Sequence, residues 1–155
     1  MDRIDQSILS RVQADSSRPL SQLADAVGLS PSACHRRLKL LEEAGVIAGY
    51  SARLDRAALG LTMELFVTVS LISQSNESLE AFEKAVIAVP EILSCYLLAG
   101  RADYIMRIAV KDMDDFERIH RQKLSRLPGV STMTTSFSLR TVKDFRGFPV
   151  GVPVR

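Results

Sequence analysis

LSQLADAVGLSPSACHRRLKLLEEAGVIAGY, residues 20–50, sets two apolar-periodic segments on either side of Gly28. The spacing predicts a short helix that starts near Ser21, buries Leu23, Ala24 and Val27, and stops at Gly28, a residue suited to a left-handed helix end. A second helix starts with Ser30 as N-cap and Pro31 at the first helical position, and runs to about Ala44 before Gly45 ends it. Ala33 or Cys34, Leu38 and Leu41 face inward. Two short helices joined by a glycine-containing turn are the helix-turn-helix unit, whose second helix enters the major groove of DNA with its N-terminal residues toward the bases.

The outward side of that second helix carries Ser32, His35, Arg36 and Lys39, with Arg37 near its edge. Arginine grips guanine bidentately, serine and histidine reach base edges or phosphate, and lysine neutralises phosphate. A solvated face laced with intrahelical ion pairs is the competing reading, and offsets along the helix separate the two. Lys39 has Glu42 and Glu43 three and four residues on, so its charge is met locally. Arg36 and Arg37 have no acid at those offsets. The two arginines therefore favour DNA.

Working outward, residues 1–14 repeat the helical period through Ile4, Ile8 and Val12 with Leu9 beside them, Asp2 being the N-cap with Asp5 three residues on. From Glu64 the period changes. ELFVTVSL (64–71) reads as a strand, SLEAFEKAVIAV (78–89) as an amphipathic helix, and ILSCYLLAG (92–100) and DYIMRIAV (103–110) as two strands joined by a tight turn. MDDFERIHRQKLSRL (113–127) is a helix capped by Asp112, and VSTMTTSFSLRTV (130–142) a last strand. The order β-α-β-β-α-β is the ferredoxin-like arrangement, an antiparallel sheet with both helices on one face. Residues 51–63 connect the halves, with room for a short strand, and the Gly/Pro-rich tail from residue 145 argues against regular structure.

The whole chain narrows the function classes. Its 155 residues, 46% hydrophobic and 25% charged, suit one ordinary domain or two small ones. No apolar run approaches the ~20 residues of a membrane helix and no signal-peptide pattern opens the chain, so a cytoplasmic location is expected. Cys34 and Cys95 form no C-x-x-C pair, and His35 and His120 fall in different halves, so neither a disulfide framework nor a metal site is expected. No nucleotide-binding glycine motif or nucleophile elbow is present, and no cofactor or catalysis is expected. Asp112, Asp114 and Asp115 read as capping and helix-dipole residues rather than a catalytic group. Residues 1–50 hold six Lys/Arg against six Asp/Glu, so a DNA assignment rests on where the charges sit.

These motifs resemble the Lrp/AsnC (leucine-responsive/asparagine regulator) family of bacterial and archaeal transcription factors. DRIDQSILSRVQAD is similar to that family's first helix, and LADAVGLSPSACHRRLKLLEEAGVIAGYSARLD to its DNA-binding core, with Gly28, Ser30, Arg37, Leu41, Glu42, Gly45, Ile47, Gly49 and Tyr50 at matching positions. LLAGRADYIMRIAV resembles the family's G-x-x-D-Y turn, and LSRLPGVSTMTTSFSL its L-P-G-V stretch. DSSRPLSQL departs from the usual D-G-R-x-S-x-x-x-L, and Leu40 lies where a polar residue is common.

The resemblance implies an α+β protein. Residues 1–50 form a helix-turn-helix (winged-helix-like) domain, 51–63 a linker, 64–145 a ferredoxin-like regulatory and oligomerisation domain, and 146–155 a tail. It implies a sequence-specific regulator of double-stranded DNA, a homodimer assembling further to an octamer, and a small-molecule effector, an amino acid, held between dimers. DNA-contacting residues would be Ser30, Ser32, His35, Arg36, Arg37 and Lys39. Around the effector, Asp103 beside Tyr104 would meet the ammonium. The Gly100, Arg101 and Ala102 turn and the hydroxyls of Thr134, Thr135 or Ser136 would meet the carboxylate, and Met113 would line the side-chain pocket. Each has a purely structural counterpart: turn residues, the wet face of a strand, core. The alternative is a ligand-binding or assembly module whose N-terminal helices only pack.

Overall fold

The computed structural model describes residues 1–151. The chain divides into two compact units, Met1–Arg53 together with the segment from Val142 onward, and Leu54–Thr141.

The first unit is built on three helices, α1 (Arg3–Ala14), α2 (Leu20–Ala26) and α3 (Pro31–Glu43). Asp2 caps α1 in a reciprocal capping box: its carboxylate accepts from Asp5 N–H at 2.8 Å, and Asp5 returns the bond to Asp2 N–H at 3.0 Å. Ile8, Leu23, Ala24, Cys34 and Leu41 form the buried core, flanked by Ile4, Leu9, Val12 and Leu38. Full burial of an aliphatic side chain stabilises by roughly 1.5–3 kcal/mol, so three helices too short to persist alone hold one another. Helix α2 begins one residue before the expected Ser21, because Pro19 (φ −55°) already occupies the cap position. Gly28 and Gly45, both at φ +69°, close α2 and α3. Among the described residues of this unit, no strand follows α3.

The second unit is a four-stranded antiparallel sheet of order β2-β3-β1-β4, made of β1 (Met63–Leu71), β2 (Ile92–Leu97), β3 (Tyr104–Val110) and β4 (Val130–Phe137). Helices α4 (Asn76–Ile87) and α5 (Met113–Gln122) cover one face, with a single 3₁₀ turn, Leu124–Arg126, after α5. Leu65, Val67, Val69, Met106 and Ile108 pack from the sheet against Phe82, Val86, Ile119 and Leu124. The alternation of strands puts Phe66, Thr68, Ile105, Arg107 and Tyr96 on the opposite face, away from α4 and α5.

Several boundaries differ from expectation for local reasons. Helix α4 starts two residues early because Ser75, not a later residue, caps it through Ser78 N–H. Strand β4 stops at Phe137, where pairing with β1 ends. Segment 51–62 has no strand; Asp55 instead caps a turn, its carboxylate accepting from Ala58 N–H at 2.8 Å, and Gly60 at φ +76° terminates it. The tail has no helix or strand through residue 151, and residues 152–155 lie outside the described part. It is nevertheless held on the first unit. The Gln13 side-chain amide donates to Phe148 O at 2.7 Å and accepts from Phe148 N–H at 2.8 Å, as a neighbouring strand would.

Candidate nucleic-acid interface and effector region

Helix α3 is anchored at both ends. Ser30 Oγ accepts from Ala33 N–H at 3.2 Å and Pro31 opens the helix, while Cys34 and Leu41 are sunk in the core. That orientation leaves Ser32, His35, Arg36, Lys39 and Leu40 exposed along the outer side. Lys39 lies 3.7 Å from Glu43, the i+4 partner expected of it. Arg36 forms no ion pair among the described residues.

Arg37 corrects the sequence reading. It does have acids, but on another helix: Nη1 donates to Asp2 at 2.8 Å and to Asp5 at 2.7 Å. The guanidinium stitches α3 to the capping box of α1 and is only 28% exposed. Counting offsets within one helix could not find this bond. The signal available was Asp5, an acid on the edge of the Ile4–Ile8 stripe that needs a cation when half-buried. Backbone donation from Asp5 and then the Arg37 contact hold the Asp2 carboxyl below its ordinary value, and the carboxylates of Asp5 and then Asp2 raise the Arg37 pKa.

The segment after α3 is pinned by Ile47, which packs on the core, and by Tyr50, whose hydroxyl donates to Glu42 at 2.7 Å. Burial and that carboxylate push the Tyr50 pKa up to about 12. Glu42 is thereby taken from Lys39.

In the second unit the proposed effector residues are split. Residues 98–103 form a six-residue loop rather than a tight turn, and Gly100 does not adopt a positive φ. Leu98 N–H closes the loop on Asp103 O at 2.8 Å. Asp103 is buried and its carboxylate is already engaged, accepting from Leu71 N–H at 2.7 Å and from the Gln74 amide. It therefore braces the end of β1 instead of waiting for an ammonium. Tyr104 is buried against Phe82, ring centroids 4.6 Å apart, and its hydroxyl donates to Glu83 at 2.8 Å; burial raises its pKa. Arg101 and Gly100 are exposed and Ala102 is half-buried.

Met113 begins α5 beyond the far end of β3, ~20 Å of strand away from the loop. Asp112 caps that helix through Asp115 N–H at 2.9 Å, as its sequence position implied. Thr134 and Ser136 sit on the open face of β4 and Thr135 on the helix-covered face, opposite Val67. Within one chain, then, these residues do not converge on a pocket. Among the described residues no group of three His, Cys, Asp or Glu side chains is placed to hold a metal, and no helix is long and apolar enough to cross a membrane.

Known proteins share this organisation. Residues 1–48 match the family described as winged helix-turn-helix DNA-binding, and residues 64–148 the Lrp/AsnC ligand binding domain. The Bkd operon transcriptional regulator of Pseudomonas aeruginosa is 38% identical over 92% of this chain and 93% of its own. The DNA-binding transcriptional activator DecR of Escherichia coli is 34% identical over 97% and 99%. Among solved structures, a Neisseria meningitidis transcriptional regulator in complex with L-Met superposes with a TM-score of 0.91 at 34% identity, covering 96% of each chain. With a DNA-binding helical unit ahead of a ligand-binding α+β unit, and full-length likeness to regulators of this build, the chain belongs to the Lrp/AsnC family of transcriptional regulators.

Proposed function

We propose that the protein is a homodimeric, non-catalytic regulator that reads operator DNA with the outer side of α3 and responds to a free amino acid. The single observation that carries the DNA reading is Arg36: exposed, in the second turn of a capped helix, and without an ion pair among the described residues. Arg37 beside it is spent on Asp2 and Asp5. Ser30 and Ser32 at the helix entrance, His35, and Lys39 flank Arg36 and supply the remaining base and phosphate contacts. Arg37 contributes by fixing the angle between α1 and α3.

The amino-acid reading draws support from the L-Met complex of the Neisseria relative. In this chain the backbone N–H groups of residues 100–102 and the Arg101 guanidinium suit a carboxylate. Asp103 and Tyr104 shape that loop. Because Met113 and the Thr134 and Ser136 hydroxyls lie elsewhere in the chain, they join the site from neighbouring subunits, in keeping with an effector bound between dimers of a larger assembly such as an octamer; Thr135, on the helix-covered face, stays out of it.

A gel shift on DNA selected from random sequence by the protein itself tests the first part. Arg36→Ala should weaken the selected site by about 1–3 kcal/mol and relax its sequence preference at one position. Unchanged affinity would remove α3 from the groove. A thermal-shift screen over the twenty amino acids tests the second, since a ligand at 100 times its Kd adds about 2.7 kcal/mol.

A further inference from the structure

The outward side of α1 breaks a rule that its other residues obey. Arg3 occupies the first helical position, where a cation opposes the positive end of the helix dipole. Ser7, Ser10 and Arg11 follow on the same side, at offsets of four, seven and eight. Arg18 joins them from the segment before α2. With Gly151 of the tail, these five side chains line a concavity of about 770 Å3.

Among the described residues its donors have no close acceptors. The Nε of Arg11 is buried and has no hydrogen-bond partner among the described residues. Among the described residues neither Arg3 nor Arg11 forms an ion pair. Arg18 reaches Asp15 only at 3.9 Å, and that carboxylate already accepts from Ser17 N–H at 3.0 Å and Ser17 Oγ at 2.7 Å. Among the described residues no carboxylate lines the concavity. A buried donor without a partner is costly in a folded protein. Three guanidinium groups and two hydroxyls lining one space suit a tetrahedral oxyanion with acceptors on every side better than a carboxylate that one fork would satisfy.

We propose that the concavity lined by Arg3, Ser7, Ser10, Arg11 and Arg18 is a phosphate-binding site, formed by the first unit alone and independent of whether α3 enters the groove. The phosphate belongs either to the backbone of bound duplex DNA or to a free phosphorylated compound, and one pair of measurements separates these sources. The full chain, wild type and Arg11→Gln, is titrated with sodium pyrophosphate against sodium chloride at matched ionic strength, reading melting temperature and heat. The same proteins are then bound to a mixed-sequence duplex across a salt series.

A free ligand predicts pyrophosphate stabilisation of the wild type, weakened about tenfold in Arg11→Gln, with an unchanged DNA salt slope. A DNA backbone predicts that Arg11→Gln flattens the slope of log affinity against log salt by about 0.9, with or without pyrophosphate binding. Should Arg11→Gln not fold, Arg3→Gln at the exposed first position carries the same measurements. No pyrophosphate effect on the wild type together with an unaltered slope in the variant overturns the site.

Discussion

Replacing Arg37 by alanine strands two carboxylates, Asp2 and Asp5, at the entrance of α1, whereas replacing Arg36 strands nothing. The two variants should therefore separate folding from recognition. Arg37→Ala lowers the melting temperature by a few degrees, and its DNA affinity recovers on cooling; Arg36→Ala melts as wild type and binds DNA weakly at every temperature. If instead Arg37→Ala melts normally and loses DNA, the guanidinium leaves its carboxylates for phosphate. The same cluster carries a pH signature. Asp2 sits below its ordinary value of 3.8 because Asp5 N–H and Arg37 favour its ionised form. A depressed carboxyl contributes stability that is complete above its unfolded value and disappears as pH falls through the folded one. The melting-temperature gap between wild type and Arg37→Ala should be constant near neutrality and shrink as the pH falls below the ordinary value of 3.8. A gap unaffected by acid would mean that Arg37 stabilises through packing alone. Asp103 offers a third residue-scale test. Asp103→Ala leaves the buried Leu71 N–H unpaired and should cost about 1–3 kcal/mol by denaturant unfolding. A cost near zero would return the carboxylate to the effector.

At the scale of elements, Gly147 is the point where the tail crosses α1. Its φ of +119° is closed to other residues, and a Cβ there would fall 2.0 Å from the Gln13 amide carbon. Gly147→Ala should release the tail from Gln13, which limited proteolysis reads as faster cleavage between residues 142 and 151. Gln13→Ala should do the same without touching backbone conformation. Equal protection in both variants would show that Phe145 and Phe148 hold the segment by themselves. This docking was illegible in the sequence. Through residue 151 the tail has neither helix nor strand, as its Gly and Pro content implied, but a side-chain amide mimicking a strand edge leaves no period to read. The helices were legible because their caps are local: Asp2, Ser30 and Asp112 each bond a backbone N–H three residues on. The order of strands and helices along the second unit also followed from the change of period. What escaped were bonds between elements, Arg37 to α1 and Asp103 to the end of β1, since spacing along one element carries no information about its neighbour. The loop at 98–103 escaped for a related reason: Gly and Asp suit a two-residue turn, and only the carboxylate's grip on Leu71 and Gln74 selects six residues instead.

For the whole molecule, the uncovered sheet face sets the expectation for assembly. Phe66, Ile105 and Tyr96 share it with Thr68, while Glu64, 6% exposed, pairs with Arg107 across the neighbouring strand. Phe66 is 37% and Tyr96 62% exposed in the single chain, an apolar area that antiparallel sheets normally bury or replace by polar residues. A second copy of this chain meeting it face to face would bury both aromatics twice over, and its symmetry would supply the paired α3 helices that a palindromic operator demands, about 34–36 Å apart or a multiple of that spacing. Phe66→Glu sets a carboxylate against its own symmetry mate and should convert the proposed dimer to monomers by sedimentation velocity. Since the second half-site then binds as a separate event, affinity for a two-half-site duplex should fall about a hundredfold or more, while affinity for a single half-site stays within about twofold. Should the variant remain dimeric, the subunits meet elsewhere. Should it become monomeric yet keep full affinity for the paired site, each subunit reads DNA alone and the dimer serves the effector.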